Sequence, residues 1–283
     1  MIINSIQILK DARKDGYAIG GFNTSDLEIT QAILEAASKL KSPVIVQTSE
    51  KAIDFAGLEN ISDIIKNEAK KYEIPVVLHL DHGRSVELVK KCLDVGYTSV
   101  MFDGSKLEFG ENIRITQEVV KLARGYDASV EAEIGKVGGV EDYISHKYSN
   151  STNFTNPKDA KIFVEETAVH SLAIAFGNAH GIPDPEEKLD FEVLENVAKL
   201  VKIPLVFHGA SSTPIHDMKK AISLGIAKVN IDTDIRLAFS GAIKDFQKSY
   251  PEVYDPREIM TSAKEAVKKV VKDKIKQFQN KQI

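Results

Sequence analysis

Apolar residues along this chain fall into short, β-branched runs, each followed by a longer stretch whose apolar positions recur at helical spacing. The runs are AIGGF (18–22), PVIVQ (43–47), PVVLHL (75–80), SVMF (99–102), SVEAEI (129–134), LAIAF (172–176), PLVFH (204–208) and AKVNI (227–231). Continuous apolar character suits strands buried on both faces of a parallel sheet. Helical patterns fill the intervals at 26–40, 60–72, 85–96, 111–123, 157–169, 191–201, 214–224 and 233–248. Ser85 is placed to cap its helix, Gly96 to end it, and Pro157 to open another. A last segment, 256–278, reads as one or two further helices. Eight strand–helix alternations with no break in composition predict a single (β/α)8 TIM barrel over residues 1–283, with 256–283 as a C-terminal helical extension. An open doubly wound sheet that binds a dinucleotide would carry a Gly-rich turn after its first strand; here that turn is NTSD. The segment 135–156 is long and rich in Gly, Ser, Thr and Asn, the composition of a mobile functional loop.

Polar residues recur at one place in each repeat. Asn23 follows the first strand, Ser49 the second, Asp81 and His82 the third, and Asp103 the fourth. Glu133 ends the fifth, Asn178 and His180 follow the sixth, His208 ends the seventh, and Asn230 and Asp232 end the eighth. In a barrel these positions form the C-terminal rim, where active sites are built. Of the seven histidines, His82, His180 and His208 sit at strand ends. Three converging imidazoles suit a tetrahedral zinc with one open position. His79 lies mid-strand and is expected to be buried and hydrogen-bonded; His146 falls in the long loop, and His170 and His216 are expected at the surface. Asp81 and His82 are neighbours and would face opposite ways in a regular strand, so a twist at Gly83 is expected. The turns HGASST (208–213) and NIDT (230–233) present backbone N–H groups of the kind that bind phosphate beside the seventh and eighth strands.

A metal beside a phosphate site points to a phosphorylated ketone with an adjacent hydroxyl, whose carbonyl the metal polarises while carboxylates move protons. Asp81 and Glu141, the latter in GGVED, are the candidates. A Schiff-base lysine is the competing route and must project into the barrel. Lys51 and Lys136 lie beyond strand ends and Lys228 is read at a strand start, so the metal route is preferred.

Composition narrows the partners. With 37 basic and 41 acidic residues the net charge is −4, and no basic patch suggests nucleic acid. No apolar run approaches the ~20 residues needed to cross a bilayer, and no signal peptide precedes the barrel. The single cysteine, Cys92, excludes an internal disulfide and suits a cytoplasmic location.

The motifs HLDHG (79–83), EAEIG (131–135), GGVED (138–142), NAHG (178–181), LVFHGASS (205–212), KVNIDT (228–233) and YDPRE (254–258) span the chain. Together they resemble the class II, zinc-dependent fructose-bisphosphate aldolases and their tagatose-bisphosphate relatives. That resemblance implies a lyase of glycolysis or gluconeogenesis that cleaves fructose 1,6-bisphosphate to dihydroxyacetone phosphate and glyceraldehyde 3-phosphate. It implies a catalytic Zn2+ on His82, His180 and His208, with Glu133 near the metal as an alternative contact. Asp81 would act on the C4 hydroxyl, and Glu141 would move the proton of dihydroxyacetone phosphate. Gly181, Gly209, Ala210, Ser211, Asn230, Ile231, Asp232 and Thr233 would hold that triose, with a monovalent cation (Na+ or K+) nearby. Asn23 and Ser49 would line the substrate. Arg257 would reach the second phosphate from a neighbouring subunit, which implies a homodimer or homotetramer. The chain departs from its relatives at Asn178, at Pro183 and Asp184, and at Ser212; a phosphate-binding lysine is expected to be lost or moved to Lys188. Tagatose 1,6-bisphosphate, or a phosphorylated deoxyketogluconate, is the alternative substrate. A non-catalytic barrel subunit would have lost metal ligands, and a zinc hydrolase of this fold would carry His-x-His on its first strand.

Overall fold

The computed structural model describes residues 1–139, 154–181, 188–211 and 213–279. The chain runs through α1 (Ile6–Asp15), β1 (Ile19–Asn23), α2 (Leu27–Lys39), β2 (Val44–Ser49), α3 (Glu50–Ala56) and α4 (Leu58–Ala69). It continues through β3 (Val76–Gly83), α5 (Val86–Asp94), β4 (Ser99–Phe102), α6 (Phe109–Arg124), β5 (Ser129–Ile134) and α7 (Pro157–Thr167). It ends with β6 (Ser171–Ile174), α8 (Phe191–Leu200), β7 (Leu205–Phe207), α9 (Ile215–Ser223), β8 (Ile226–Ile231), α10 (Thr233–Ser249) and α11 (Pro256–Phe278). Among the described residues these eight strands pair in parallel, each with its sequence neighbours, and β1 closes on β8 with Gly21 opposite Asn230. The result is the closed barrel expected from the eight apolar runs.

Side-chain alternation sorts each strand into two faces. Val46, Leu78, Val100, Val130, Leu172, Phe207 and Val229 point outward into one continuous core beneath the helices. The inward positions at the N-terminal end are apolar. There Ile19, Ile45, Val77 and Ala227 pack with Leu9 and Ala12 of α1, which plugs the barrel floor. Above that plug the interior carries a polar layer: Gln47, His79, Ser99, Glu131 and Lys228 are all buried there, beside Met101, Ala173 and Val206. Gly21 makes room for this layer. A Cβ there would lie 2.6 Å from Gln47 Oε1 and 2.9 Å from Asn230 Oδ1.

Two helices were not foreseen. The α1 plug is the most polar helix on average and α3 buries only Ile53, so neither stands out as an apolar segment. Gly57, with φ +83°, separates α3 from α4. The C-terminal segment is one helix, α11. Its stripe of Ala263, Val267, Val271 and Ile275 is buried, Lys264 and Lys268 each lie 3.0 Å from Glu35 of α2, and the Phe278 carbonyl accepts from Ala18 N–H at 3.0 Å. His170 is half-buried, contrary to expectation: its Nδ1 accepts from Val130 N–H at 2.9 Å. No helix among the described residues is long and apolar enough to cross a membrane.

Candidate active site and metal centre

The rim of the barrel surrounds a cavity of about 410 Å³, lined by Asn23, Ser49, Asp81, His82, His180, Gly181, Gly209, Ser211, Asn230, Asp232 and Thr233. At its base the rings of His82, His180 and His208 converge, with centroids 4.6 to 5.9 Å apart. Each offers a nitrogen within 4.8 Å of the other two. A second group, His82 with Asp103 and Glu133, meets the same distance condition.

His82 reaches the site through its own backbone. Its φ is +52°, and the pairing of β3 with β4 slips between Leu80 and Gly83. The twist expected at Gly83 therefore falls one residue earlier, and it lets Asp81 and His82 serve the same cavity. The other described non-glycine residues with positive φ, Lys41, Asp127 and Ala168, follow helix ends; His82 alone among them lies in a strand.

The proton positions follow from the partners. Asp103 Oδ2 lies 3.1 Å from His82 Nδ1, so that nitrogen carries the proton. Burial opposes ionisation of Asp103, but His82 and two bonds from Ser105 outweigh it and hold the carboxyl below its ordinary range. Glu131 Oε1 lies 2.9 Å from His208 Nε2 and fixes the proton there. Asn230 Nδ2 is 3.3 Å from the same nitrogen, but an acceptor carboxylate at shorter range decides the tautomer. Burial first, then His82, pushes the His208 pKa well below its ordinary value. The remaining nitrogens, His82 Nε2 and His208 Nδ1, then face each other at 2.8 Å. Two lone pairs cannot be held so close in a buried site. A positive charge would relieve them: a proton shared by the two, or a metal ion that both would hold. The donor set therefore fits a metal such as zinc.

Asp81 stands beside this centre. Its Oδ2 accepts from Asn23 Nδ2 at 2.8 Å and its Oδ1 from Asn230 Nδ2 at 3.1 Å, while Asn23 Oδ1 accepts from Gln47 Nε2 at 2.7 Å. Burial raises its pKa, but His82, His208, Lys228 and the Asn23 bond prevail and leave it lowered. Asp81 is thus an oriented carboxylate, suited to accept a proton.

The two turns expected to bind phosphate also line the cavity, through Gly209, Ser211, Asn230, Asp232 and Thr233. Gly209 has φ +66°, and a Cβ there would collide with the Ala179 carbonyl, so glycine is required. Asp234 N–H, at the start of α10, donates to Ser211 Oγ at 3.4 Å. Asn178, one of the departures, clamps this turn: its Nδ2 donates to the His208 carbonyl at 2.9 Å and its Oδ1 accepts from Phe176 N–H at 2.8 Å.

The remaining expected residues differ in how they stand to the cavity. The side chains of Ala210 and Ile231 are fully buried in the outer core and offer the cavity only backbone. Glu133 is buried beneath the histidines, 3.6 Å from His208 Nδ1. Lys188 is exposed and does not line the cavity. Arg257 is exposed at the start of α11, paired with Asp255 at 2.6 Å, and also does not line this chain's cavity. Glu141, Pro183, Asp184 and Ser212 lie outside the described residues.

Lys228 is a correction. It lies within β8, is buried, and projects into the barrel, where its Nζ bonds Glu131 Oε2 at 2.8 Å and His79 Nε2 at 3.1 Å. The strand begins at Ile226 and bulges before Lys228, which puts the lysine on the inner face with Asn230. As an ion-paired ammonium it is no free amine for Schiff-base chemistry. Glu131, Gln47 and Lys228 were missed as site residues, although period-two alternation from Glu133, Ser49 and Asn230 points to each of them.

Comparison with known proteins agrees in fold and chemistry. A family model described as class-II fructose-bisphosphate aldolase matches residues 3–282. A fructose-bisphosphate aldolase from Thermus caldophilus is 42% identical over 301 residues, covering 98% of each chain. The crystal structure of the YdjI aldolase from Escherichia coli K12 superposes with a TM-score of 0.87 at 36% identity, over 98% of this chain and 97% of that one. The fructose-bisphosphate aldolase of Campylobacter jejuni gives 0.83 at 27% identity, over 98% and 95%.

Proposed function

This chain belongs to the class-II fructose-bisphosphate aldolase family and is a carbon–carbon lyase, and from that premise we propose that it cleaves fructose 1,6-bisphosphate reversibly to dihydroxyacetone phosphate and glyceraldehyde 3-phosphate. The observation that carries this proposal is the pair of imidazole nitrogens, His82 Nε2 and His208 Nδ1, opposed at 2.8 Å beside the Asp81 carboxylate. His82, His180 and His208 would hold a zinc ion, with Glu133 as an alternative contact. Bound there, zinc would polarise the substrate ketone and offset the negative charge that develops during cleavage.

The remaining work falls to the chain's own groups. Asp81 takes the proton from the C4 hydroxyl as the C3–C4 bond breaks, and returns it in the condensation direction. Asn23 and Asn230 hold both its oxygens and so orient it. Glu141 moves the proton at the carbon of dihydroxyacetone phosphate that becomes nucleophilic. Gly181, Gly209 and Ser211, with the backbone of Ala210 and of 230–233, bind the phosphate of that triose, beside a Na+ or K+ ion. Asn23 and Ser49 line the sugar. The enzyme works in the cytoplasm as a homodimer or homotetramer, in which Arg257 of one subunit meets the second phosphate in its neighbour. The exposure of Arg257 outside its own cavity supports that arrangement.

A coupled cleavage assay with fructose and tagatose bisphosphates side by side, with and without EDTA and added zinc, tests the proposal. Metal-dependent turnover with a higher kcat/KM for the fructose sugar is expected. A higher value for tagatose would reassign the substrate, and no turnover of either by zinc-loaded protein would overturn the proposal. For Arg257→Ala we expect kcat/KM for the bisphosphate to fall about tenfold to a hundredfold, the loss of one charge-assisted hydrogen bond to phosphate. Exchange of the dihydroxyacetone phosphate proton should be nearly unchanged. Equal damage to both would make Arg257 structural.

A further inference from the structure

The interior layer under the rim contains a buried ion pair that the reaction scheme leaves unused. Lys228 and Glu131 are 1% and 2% exposed, and their charged atoms lie 2.8 Å apart. Desolvating two charges is expensive, and an apolar pair of similar size would often stabilise a core as well or better. The pair also sits in a chain of bonds with a direction. A lysine ammonium can only donate. It donates to His79 Nε2 at 3.1 Å, so His79 carries its proton on Nδ1 and gives it to Ser99 Oγ at 2.7 Å. It donates to Glu131 Oε2, while Glu131 Oε1 faces His208 Nε2 at 2.9 Å. The sequence of bonds ends at His208 Nε2, on the far side of the ring from the Nδ1 that faces the metal centre.

We propose that Lys228 is a positioning residue for the metal centre: by neutralising and anchoring Glu131, it holds the His208 imidazole with its proton on Nε2 and its Nδ1 lone pair directed at the ion. The pair is built on β5 and β8 and the ligand directly follows β7, so three strands are tied to one ring orientation. Removing the lysine leaves the carboxylate without the group that anchors its second oxygen, so it can turn from His208 and loosen the ring that it orients. Outer groups of this kind alter metal affinity by about tenfold to a hundredfold. The inference depends on the three-histidine metal reading.

The test is zinc affinity, measured by competition with a chelating dye, together with the visible spectrum of the Co(II)-substituted protein. Lys228→Met is expected to weaken zinc binding by about tenfold to a hundredfold and to alter the cobalt band intensities. Glu131→Gln should do the same. Adding Lys228→Met to Glu131→Gln should change the affinity by less than about threefold further, because the lysine acts through the carboxylate. Lys228→Met with wild-type affinity and spectrum would overturn the proposal, as would a lysine effect that persists in full without Glu131. If Lys228→Met alone does not fold, the comparison of Glu131→Gln with the double variant, which replaces the ion pair by neutral groups, decides the matter on the same criterion. Wild-type protein that binds no zinc would instead remove the metal reading itself.

Discussion

His208→Ala is expected to abolish stoichiometric zinc binding and to lower cleavage activity by roughly a thousandfold or more, the several kcal/mol that a metal contributes to a charged transition state. His208 is fully buried and supplies one of the two opposed nitrogens at the centre. The barrel should stay folded. Glu131 loses one hydrogen bond but keeps the Lys228 ammonium, and the cost is about 1–3 kcal/mol for the exposed bonding capacity. Metal analysis after dialysis, far-UV circular dichroism and the coupled assay together check this. A variant that retains one zinc per chain would remove His208 from the ligand set.

Asp81→Asn is expected to lower kcat for bisphosphate cleavage about 10²- to 10⁴-fold, the usual range for loss of a positioned acid–base group. Zinc should remain bound. The two acceptor oxygens of Asp81 both receive amide N–H groups, so an asparagine must turn its own N–H₂ toward Asn23 or Asn230. That mismatch should cost about 1–3 kcal/mol of stability. The distinguishing measurement is isotope exchange into dihydroxyacetone phosphate. Since Asp81 is assigned to the C4 hydroxyl, exchange should survive in the variant. An equal loss of exchange and cleavage would assign Asp81 to the metal centre as a whole.

The sequence made the barrel legible because buried parallel strands leave continuous apolar runs, and a rim residue ends or closely follows each run. His82, His180 and His208 could be picked from seven histidines by that placement alone. The layer beneath was harder to read. Glu131 and Lys228 sit within apolar runs, where a charge looks like an interruption, and reading Lys228 as a strand start came from an edge placed one residue late. The bulge before Lys228 depends on pairing with β7, which is not a local property. Likewise the neighbours Asp81 and His82 posed a problem that sequence could state, but its solution, a left-handed histidine, arises from the slipped pairing of β3 and β4. The α1 plug is weakly apolar because a barrel floor needs only a few small contacts, here Leu9 and Ala12.

The left-handed backbone of His82 sets two kinds of selection against each other. A histidine in that conformation costs on the order of 1–2 kcal/mol that a glycine would not pay. As long as turnover is selected, the position is held. In a lineage released from that demand, glycine or asparagine there would relieve the backbone strain, while the buried Asp103 carboxylate would lose the imidazole bonded to it. A silent paralogue of this protein would therefore be recognised by paired change at positions 82 and 103, before any erosion of its core.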